Sequence, residues 1–451
     1  MNNKHINKVQ LVYPRENYGL LTQGAKSSPQ IGPLILGRQI KDELGIDVEI
    51  YNENYMSSDE LLSKLDGDVI GFSTRCSNSQ STIKLLENIS QRKNPPIIIF
   101  GGPNVTELEE KILTNRPAVY YVITGEAEQS LLKLLRGDDL KKIGGLTYRA
   151  NNKIISNPIT SAINLNEIRE FDLEQLKSPY QWNYSNKNKA PLMSAFPLSG
   201  LRGCFRKTRC DWCSISTINV RTVSGEKYWS QVKKLNEKYG IDLFYESGDT
   251  LMPFYAKELA NTKPKDLDIR LRCYSHIGLI SEDYLTDLKK CGVTNIFLGI
   301  ESVKVQHNKY SGKKLQEDLE LLKKENFQIM GGFILGMPGE TEETLKANIS
   351  NINALMEQES FCPVINLNTP YPLPGSKYYQ MCLEDTLITK RYEEITRENL
   401  IKTDTPDVIL LSKLFVDRYS NVSYAKVYQE INKLVQKYPE RIAYWALGET
   451  K

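Results

Sequence analysis

Histidine is almost missing from this chain: there are three in 451 residues, and His5 is the sole one before His276. A histidine-rich metal site or a histidine–carboxylate pair is therefore not expected to carry the chemistry. Cysteine is sparse as well. Eight in 451 residues are too few for a disulfide scaffold, and their clustering predicts a reducing compartment, with the cytoplasm as the default. No apolar run approaches membrane-spanning length, and the opening "MNNKHINKVQLVYP" has no signal-peptide core, so neither a membrane nor export is expected. The 58 basic and 55 acidic residues are mixed without a basic block, so nucleic acid is not an expected partner. Repeats and low-complexity segments are absent. What is there is an ordinary globular composition, 40% hydrophobic and 25% charged. The length suits about three units of roughly 150 residues, or two larger ones, with a core able to enclose a cofactor.

The first 150 residues alternate strand-like and helix-like segments. "KVQLVYP" (8–14), "DVEIYNE" (47–53), "DVIGFST" (68–74), "PPIIIFGGPN" (95–104) and "YYVITGEAE" (120–128) read as strands, with helical stretches such as "LILGRQIKDELG" between them. Short apolar strands separated by helices of about 10–15 residues predict βαβ units and a parallel sheet. Small and polar residues follow three of these strands, in "STRCSNSQST", "GGPNVTE" and "TGEAEQS". Ligands of open α/β sheets bind at such carboxyl ends, although every fold of this kind also needs turn and cap residues there.

A connector is placed at 151–195, near a small hairpin in "IGGLTYRANNKIISNP" and a polar loop, "QWNYSNKNKAP". From 196 the rhythm restarts with "FPLSGLRG", "IDLFYES" (241–247), "DIRLRCYS" (268–275), "TNIFLGIES" (294–302), "QIMGGFILGMPG" (328–339) and "PVINLNTPYPLPG" (363–375). These six strands with intervening helices predict a partial or full (β/α) barrel, whose chemistry sits at the carboxyl ends of the strands. The tail looks helical, with Leu410, Leu411, Leu414, Phe415 and Arg418 at helical spacing. Its aromatic residues (Phe415, Tyr419, Tyr424, Tyr428, Tyr438, Tyr444, Trp445) read as core in preference to pocket.

Three cysteines stand in "CFRKTRCDWC": Cys204, Cys210 and Cys213, spaced C-x5-C-x2-C with no histidine nearby. A structural zinc site needs four ligands, and the next available ones, Cys273 and His276, lie about sixty residues on. The segment is too polar for packing alone to explain three thiols. Iron–sulfur clusters are held by thiolates, and a [4Fe–4S] cube with three protein ligands keeps one iron open for a substrate or cofactor.

"RGCFRKTRCDWCSI" resembles the cluster loop of the radical S-adenosylmethionine (radical SAM) superfamily. The resemblance implies a [4Fe–4S] cluster on Cys204, Cys210 and Cys213. Its open iron would chelate the methionine moiety of SAM, and its electron would cleave SAM to a 5′-deoxyadenosyl radical. The usual family spacing is C-x3-C-x2-C, so two extra residues lengthen this loop without displacing the Cys210–Cys213 pair. Trp212 matches the aromatic residue that packs beside the cluster. Further segments follow in the family's order. "LFYESGD" loosely resembles the motif that supports the methionine amino group, which nominates Glu246, Ser247 and Gly248. "LGIES" resembles the fourth-strand motif and nominates Glu301 and Ser302 for the SAM ribose or carboxylate. "GGFILGMPGET" resembles the segment whose backbone meets adenine, nominating Gly336, and "NTPYPLPGSKYY" resembles the sixth-strand ending. Singly, each has a plainer reading: Glu301 is also a strand-end acid, and "GMPGET" is also a turn before a helix cap at Thr341–Thr344.

The N-terminal "DVIGFST", "GGPN" and "TGEAE" segments, with the "IGGLTYR" hairpin, resemble the cobalamin-binding domain fused ahead of many radical SAM proteins. The resemblance covers about residues 1–380. It implies cobalamin across the strand ends at 73–80, 101–106 and 124–128, nominating Ser73, Thr74, Ser77, Gly101, Gly102, Gly125 and Glu126. Neutral hydroxyls and glycine backbones suit a corrin edge. The Asp-x-His-x-x-Gly ligand motif of other cobalamin proteins is absent, so a protein histidine on cobalt is not expected.

The expected architecture is α/β. It comprises a Rossmann-like cobalamin-binding-type domain (1–150), the connector (151–195), a radical SAM (β/α) barrel (196–380) and a small, mostly helical C-terminal region (381–451). The resemblance implies an enzyme that transfers a methyl group, with the help of cobalamin, to an unactivated carbon of a small-molecule or peptide natural product. Its electrons would come from an external donor of the flavodoxin or ferredoxin kind. Cobalamin-dependent rearrangement or cyclisation without methylation is the alternative. A methylthio-transferring or RNA-modifying relative would carry further N-terminal cysteines, where only Cys76 stands, and a basic tail. A non-catalytic iron–sulfur sensor would have no need of Glu301, "GMPGET" and "PLPG" in order.

Overall fold

A computed structural model describes residues 5–16, 29–159, 162–178, 195–206, 208–215, 219–302 and 312–444. The first sheet contains β1 (Lys8–Tyr13), β2 (Asp47–Asn52), β3 (Val69–Ser73), β4 (Ile97–Gly101), β5 (Val119–Ile123), β6 (Leu146–Ala150) and β7 (Lys153–Ser156), in the order β2-β1-β3-β4-β5-β6-β7. Strands β1 to β5 are parallel. They are near-continuous apolar runs because helices cover both faces. Ile31–Leu44 and Ala127–Arg136 pack on one side with Val9, Leu11 and Ile99. Ser79–Ser90 and Glu109–Asn115 pack on the other with Val12, Ile70 and Phe72. The strand order reverses at β1, so a crevice opens beyond the carboxyl ends of β1 and β3. The hairpin is not free-standing connector. β6 pairs antiparallel with β5, Tyr148 opposite Tyr121, and carries the first sheet on to Ser156.

Strand β8 (Phe196–Leu198) leads into a two-residue antiparallel ribbon, β9 (Leu201–Arg202) with β10 (Arg221–Thr222), which closes the base of the cysteine loop. The second sheet continues through β11 (Leu243–Glu246), β12 (Arg270–His276), β13 (Val293–Glu301), β14 (Gln328–Ile334) and β15 (Val364–Asn368) to β16 (Ile442–Tyr444). All its pairings are parallel, in the order β8-β11-β12-β13-β14-β15-β16. Among the described residues β8 and β16 are its two edges, so the barrel is partial. The period of two is plain in β13: buried Ile296, Leu298 and Ile300 alternate with half-buried Asn295, Phe297, Gly299 and Glu301 on the concave face.

The tail does more than form helices. Its last described segment supplies the seventh barrel strand, with Ile442 opposite Ile365. Helix Val408–Tyr419 straddles the two cores: Phe415 joins the N-terminal one and Val416 the barrel one. Rings of Tyr378, Phe415 and Tyr419 lie tilted in a row with centroids 4.5 and 4.8 Å apart, as core aromatics do. Trp445 and the loop "QWNYSNKNKAP" lie outside the described residues. No helix of the described residues is long and apolar enough to cross a membrane.

Candidate active site

Cys204, Cys210 and Cys213 are free and half-buried on the loop above the β9–β10 ribbon. The C-x2-C pair forms a tight turn, Cys213 donating its N–H to the Cys210 carbonyl at 3.0 Å. Burial, with the neighbouring thiols adding, pushes the Cys210 thiol up and that of Cys213 to about 11. Metal binding would relieve this crowding by drawing off the protons. Neither candidate for a fourth zinc ligand is available. Cys273 is fully buried within β12, and His276 is engaged by both ring nitrogens. Three sulfurs with no imidazole is the donor set of an iron–sulfur cluster with an open iron. Among the described residues the three thiols are not already gathered into a metal-holding group, so binding a cluster requires the loop to draw them together. Trp212 packs on Ile334, Met337 and Tyr378, beside the loop.

Arg206, between the first two cysteines, donates from Nη2 to His276 Nε2 at 2.5 Å, while His276 Nδ1 donates to the Ile277 carbonyl at 2.6 Å. Burial first, and Arg206 with it, holds the imidazole below its usual pKa. The loop thereby docks on the carboxyl end of β12. At the adjacent end of β13, Glu301 has φ 61°, a left-handed backbone in a non-glycine residue, at a register shift between Gly299 and Glu301. Such a conformation costs of order 1–3 kcal/mol and persists where its surroundings impose it, often at functional sites. The Glu301 carboxylate folds back over Gly299, where an added Cβ would lie 3.0 Å from Oε1. Burial pushes its pKa up to about 7, and Arg206 pulls the other way.

Behind it, Tyr245, Tyr274 and Phe297 step across β11, β12 and β13. The two hydroxyls are 3.1 Å apart, and the Tyr274 and Phe297 rings are 4.8 Å apart. Gly299 lies opposite Gly332, and the space a Cβ would take is filled at each, by the Glu301 carboxylate at Gly299 and by the Phe297 ring at Gly332, both 3.0 Å away. Arg206, Tyr245, Tyr274 and Phe297 are not among the residues that the sequence motifs nominate. Alternation along each strand was the signal that places the last three on the concave face.

Other nominated residues face inward. Glu246 is buried and accepts the N–H groups of Gly200 and Gly248, each at 3.0 Å; burial pushes its pKa up to about 7. Ser247 donates its hydroxyl to the Leu198 carbonyl at 2.5 Å. Gly248 has no room for a Cβ, which would lie 2.8 Å from the Leu201 carbonyl oxygen. These three shape the turn that launches the cysteine loop. Ser302 is buried and bonded to Asn348, which donates to Glu340 at 2.8 Å. The Gly336 N–H is taken by Glu340, and its Cα faces Val416 of the tail.

In the N-terminal sheet, Ser73, Thr74, Ser77, Gly101, Gly102 and Gly125 gather at the ends of β3, β4 and β5. The N–H and hydroxyl of Thr74 both donate to the Gly101 carbonyl, at 2.7 and 2.9 Å. Gly102, at φ 96°, crosses so close that a Cβ would lie 2.6 Å from the Thr74 oxygen. Ser77 donates to Glu16, just beyond β1, at 3.1 Å. This glycine-lined edge fits a broad ligand with amide rims. Glu126 alone leaves the row, its carboxylate bound to Arg221.

The strand ends of the two sheets face each other across the cysteine loop. Glu107, after β4, accepts the Gly375 N–H at 3.2 Å, and the Gly375 carbonyl accepts Arg209 of the loop at 2.9 Å. Beside them lies a cleft of about 620 Å³ lined by Cys76, Gln80, Tyr371, Leu373, Tyr392 and Asp407.

Residues 198–350 match the family model of the radical SAM superfamily, and residues 20–135 match that of the B12 binding domain. This is a radical SAM enzyme with an N-terminal B12-binding domain. Its cofactors are those of that pairing: a [4Fe–4S] cluster, SAM and cobalamin. An uncharacterized methyltransferase of Pyrococcus horikoshii is 26% identical over 447 residues, covering 92% of this chain and 93% of its own. The anaerobic magnesium-protoporphyrin IX monomethyl ester cyclase of Synechocystis is 23% identical over 232 residues, covering 48% of this chain and 44% of its own. The fold is shared with the radical SAM methyltransferase TsrM of Kitasatospora setae, solved with tryptophan and a SAM analogue. The TM-score is 0.64 at 15% identity, over 83% of this chain and 76% of that one.

Proposed function

We propose that the radical SAM enzyme methylates an unactivated carbon of a small-molecule or peptide substrate, using cobalamin and reductively cleaved SAM. The observation that carries this reading is the meeting of the two strand-end faces on one cysteine loop through Glu107, Gly375 and Arg209. A methyltransferase-named relative alignable over nearly the whole chain supports it.

When bound, the cofactors supply the hard chemistry, a carbon radical on one side and a transferable methyl group on the other. The chain supplies position and dryness. Cys204, Cys210 and Cys213 hold the cluster. Glu301 accepts hydrogen bonds from ribose hydroxyls. Tyr245, Tyr274 and Phe297 keep water from the concave face. Ser73, Thr74, Ser77, Gly101, Gly102 and Gly125 bound the corrin edge, while Glu246, Ser247, Gly248, Ser302 and Gly336 support the loops from behind. Electrons come from a small flavodoxin- or ferredoxin-like donor, in a cytoplasm reducing enough to keep the thiols free. The units in this reading are a first domain to Ser156, which takes in β7 from the expected connector, a barrel from Phe196, and the helical C-terminal region, whose β16 joins the barrel sheet.

Cyclisation without methylation is the second reading, favoured by the alignment with a monomethyl ester cyclase. Anaerobically reduced, cluster-loaded protein given SAM deuterated on its methyl group separates the two. Methyl transfer should yield S-adenosylhomocysteine only when hydroxocobalamin is supplied. With the acceptor present, S-adenosylhomocysteine and 5′-deoxyadenosine should form in nearly equal amounts, and the label should enter the product. 5′-Deoxyadenosine without S-adenosylhomocysteine would replace methylation by cyclisation.

A further inference from the structure

Four charged side chains fasten the base of the cysteine loop to the N-terminal domain. Glu126 and Glu128 lie just beyond β5, at the start of helix Ala127–Arg136, and Arg202 and Arg221 belong to β9 and β10. Glu128 accepts Arg202 Nη2 at 2.6 Å, and Glu126 lies 3.4 Å from Arg202 Nη1. Glu126 also accepts both terminal nitrogens of Arg221, through Oε2 at 3.1 Å and through Oε1. Arg221 in turn donates to the Ile163 carbonyl at 2.7 Å. None of these side chains is more than 20% exposed, so the pairs are only weakly screened by solvent. The fork-to-carboxylate geometry sets direction as well as strength, and the two arginines hold Glu126 ionised against its burial.

The position of this knot matters more than its strength. Glu126 directly follows Gly125, one of the strand-end residues assigned to the corrin edge, and Arg202 stands two residues before Cys204. Any shift of the β5 end is therefore delivered through three ion pairs to the ribbon that closes the cysteine loop. We infer that Glu126 and Glu128 are positioning residues that couple occupancy of the cobalamin site to the order of the cluster loop. This rests on the proposed placement of cobalamin at the strand ends. Coupling of this kind is reciprocal: cobalamin tightens the cluster loop, and the loaded cluster favours cobalamin.

The test uses full-length, cluster-reconstituted protein and follows iron loss to the ferrous chelator bathophenanthroline, with and without saturating hydroxocobalamin. In the wild type, cobalamin should slow iron release at least about fivefold. In the Glu126→Gln/Glu128→Gln protein, which should still load iron and retain cobalamin, the two rates should coincide. Exchanging all four charges, Glu126→Arg and Glu128→Arg with Arg202→Glu and Arg221→Glu, should restore part of the protection, which loss of packing would not do. Should the double variant fail to fold, Arg221→Lys keeps the charge and loses the fork, and hydrogen exchange over residues 203–220 should then no longer respond to hydroxocobalamin. Protection undiminished in the variants, or absent from a wild type that retains cobalamin, overturns the coupling alone. A wild type that retains no hydroxocobalamin on dialysis overturns the cobalamin placement, and the coupling with it.

Discussion

Arg206 Nη2 sits 2.5 Å from His276 Nε2, so a side chain from within the cysteine loop is docked on the end of a barrel strand seventy residues away in sequence. The contact requires a neutral imidazole, and the His276 pKa is lowered, first by burial. As pH falls, the unfolded chain therefore takes up this proton before the folded one does. The stability that depends on neutral His276 is present above about pH 6.5 and is lost as pH drops through the lower folded value. His276→Asn can still accept from Arg206 but cannot titrate. Thermal scans between about pH 5 and 8 should show the melting temperature falling less steeply on acidification in His276→Asn than in the wild type. Parallel curves would remove His276 from the account.

Glu301 has the opposite sign. Its folded pKa is raised to about 7, so ionisation opposes folding above the ordinary glutamate range, and the cost is complete above pH 7. Glu301→Gln should melt higher than wild type near pH 8 and equally near pH 4. For SAM the preference reverses, because ribose hydroxyls bond best to the ionised form. Charge-assisted bonds are worth roughly 1.5–3 kcal/mol, so the variant should bind SAM about tenfold more weakly or worse, with the cluster retained. Equilibrium dialysis should show wild-type affinity rising from pH 6 to 8 and a flat profile for the variant. Equal affinities would leave Glu301 a structural strand-end acid.

Gly102 tests the corrin edge. An alanine there carries a Cβ 2.6 Å from the Thr74 oxygen, on a backbone at φ 96° that disfavours any side chain. Gly102→Ala should disturb the ends of β3 and β4 and cut hydroxocobalamin retention about tenfold or more, by an estimate that each 1.4 kcal/mol is a factor of ten, while iron content is unchanged. His5→Ala should leave the spectrum of bound cobalamin as it was. A cobalamin-replete Gly102→Ala protein would place the ligand elsewhere.

The cysteines divide cleanly. Anaerobically purified protein should carry about four iron and four sulfide per chain. Cys204, Cys210 and Cys213 replaced together by alanine should abolish this. Replacing Cys76, Cys273, Cys291, Cys362 or Cys382 should not, since none of them stands on the loop and the last four are buried. Stoichiometric zinc in a colourless wild type would contradict the iron–sulfur assignment.

Much of this molecule was legible residue by residue. The strands of both sheets follow from apolar runs bounded by turns, the helices between them from their period, and the Thr341 cap of helix Glu342–Met356 from its side-chain pattern. The three thiols on one short loop needed no fold at all to be noticed, because ten residues of chain keep them together. These are local matters, decided by neighbours in sequence. Contacts across the chain decided the rest. Glu126 reads as one more strand-end polar residue, and only the fold brings Arg202 and Arg221 beside it; nor does the sequence show that Gly200 meets Glu246, or that Glu340 and Val416 meet Gly336. Tail residues Ile442–Tyr444 carry no mark that they complete a barrel begun at Phe196, and Arg206 none that it will meet His276. A carboxylate or an unpaired strand edge takes whichever complementary partner packing brings within about 3 Å, and that partner is chosen by the closing of the two cores, not by the local sequence.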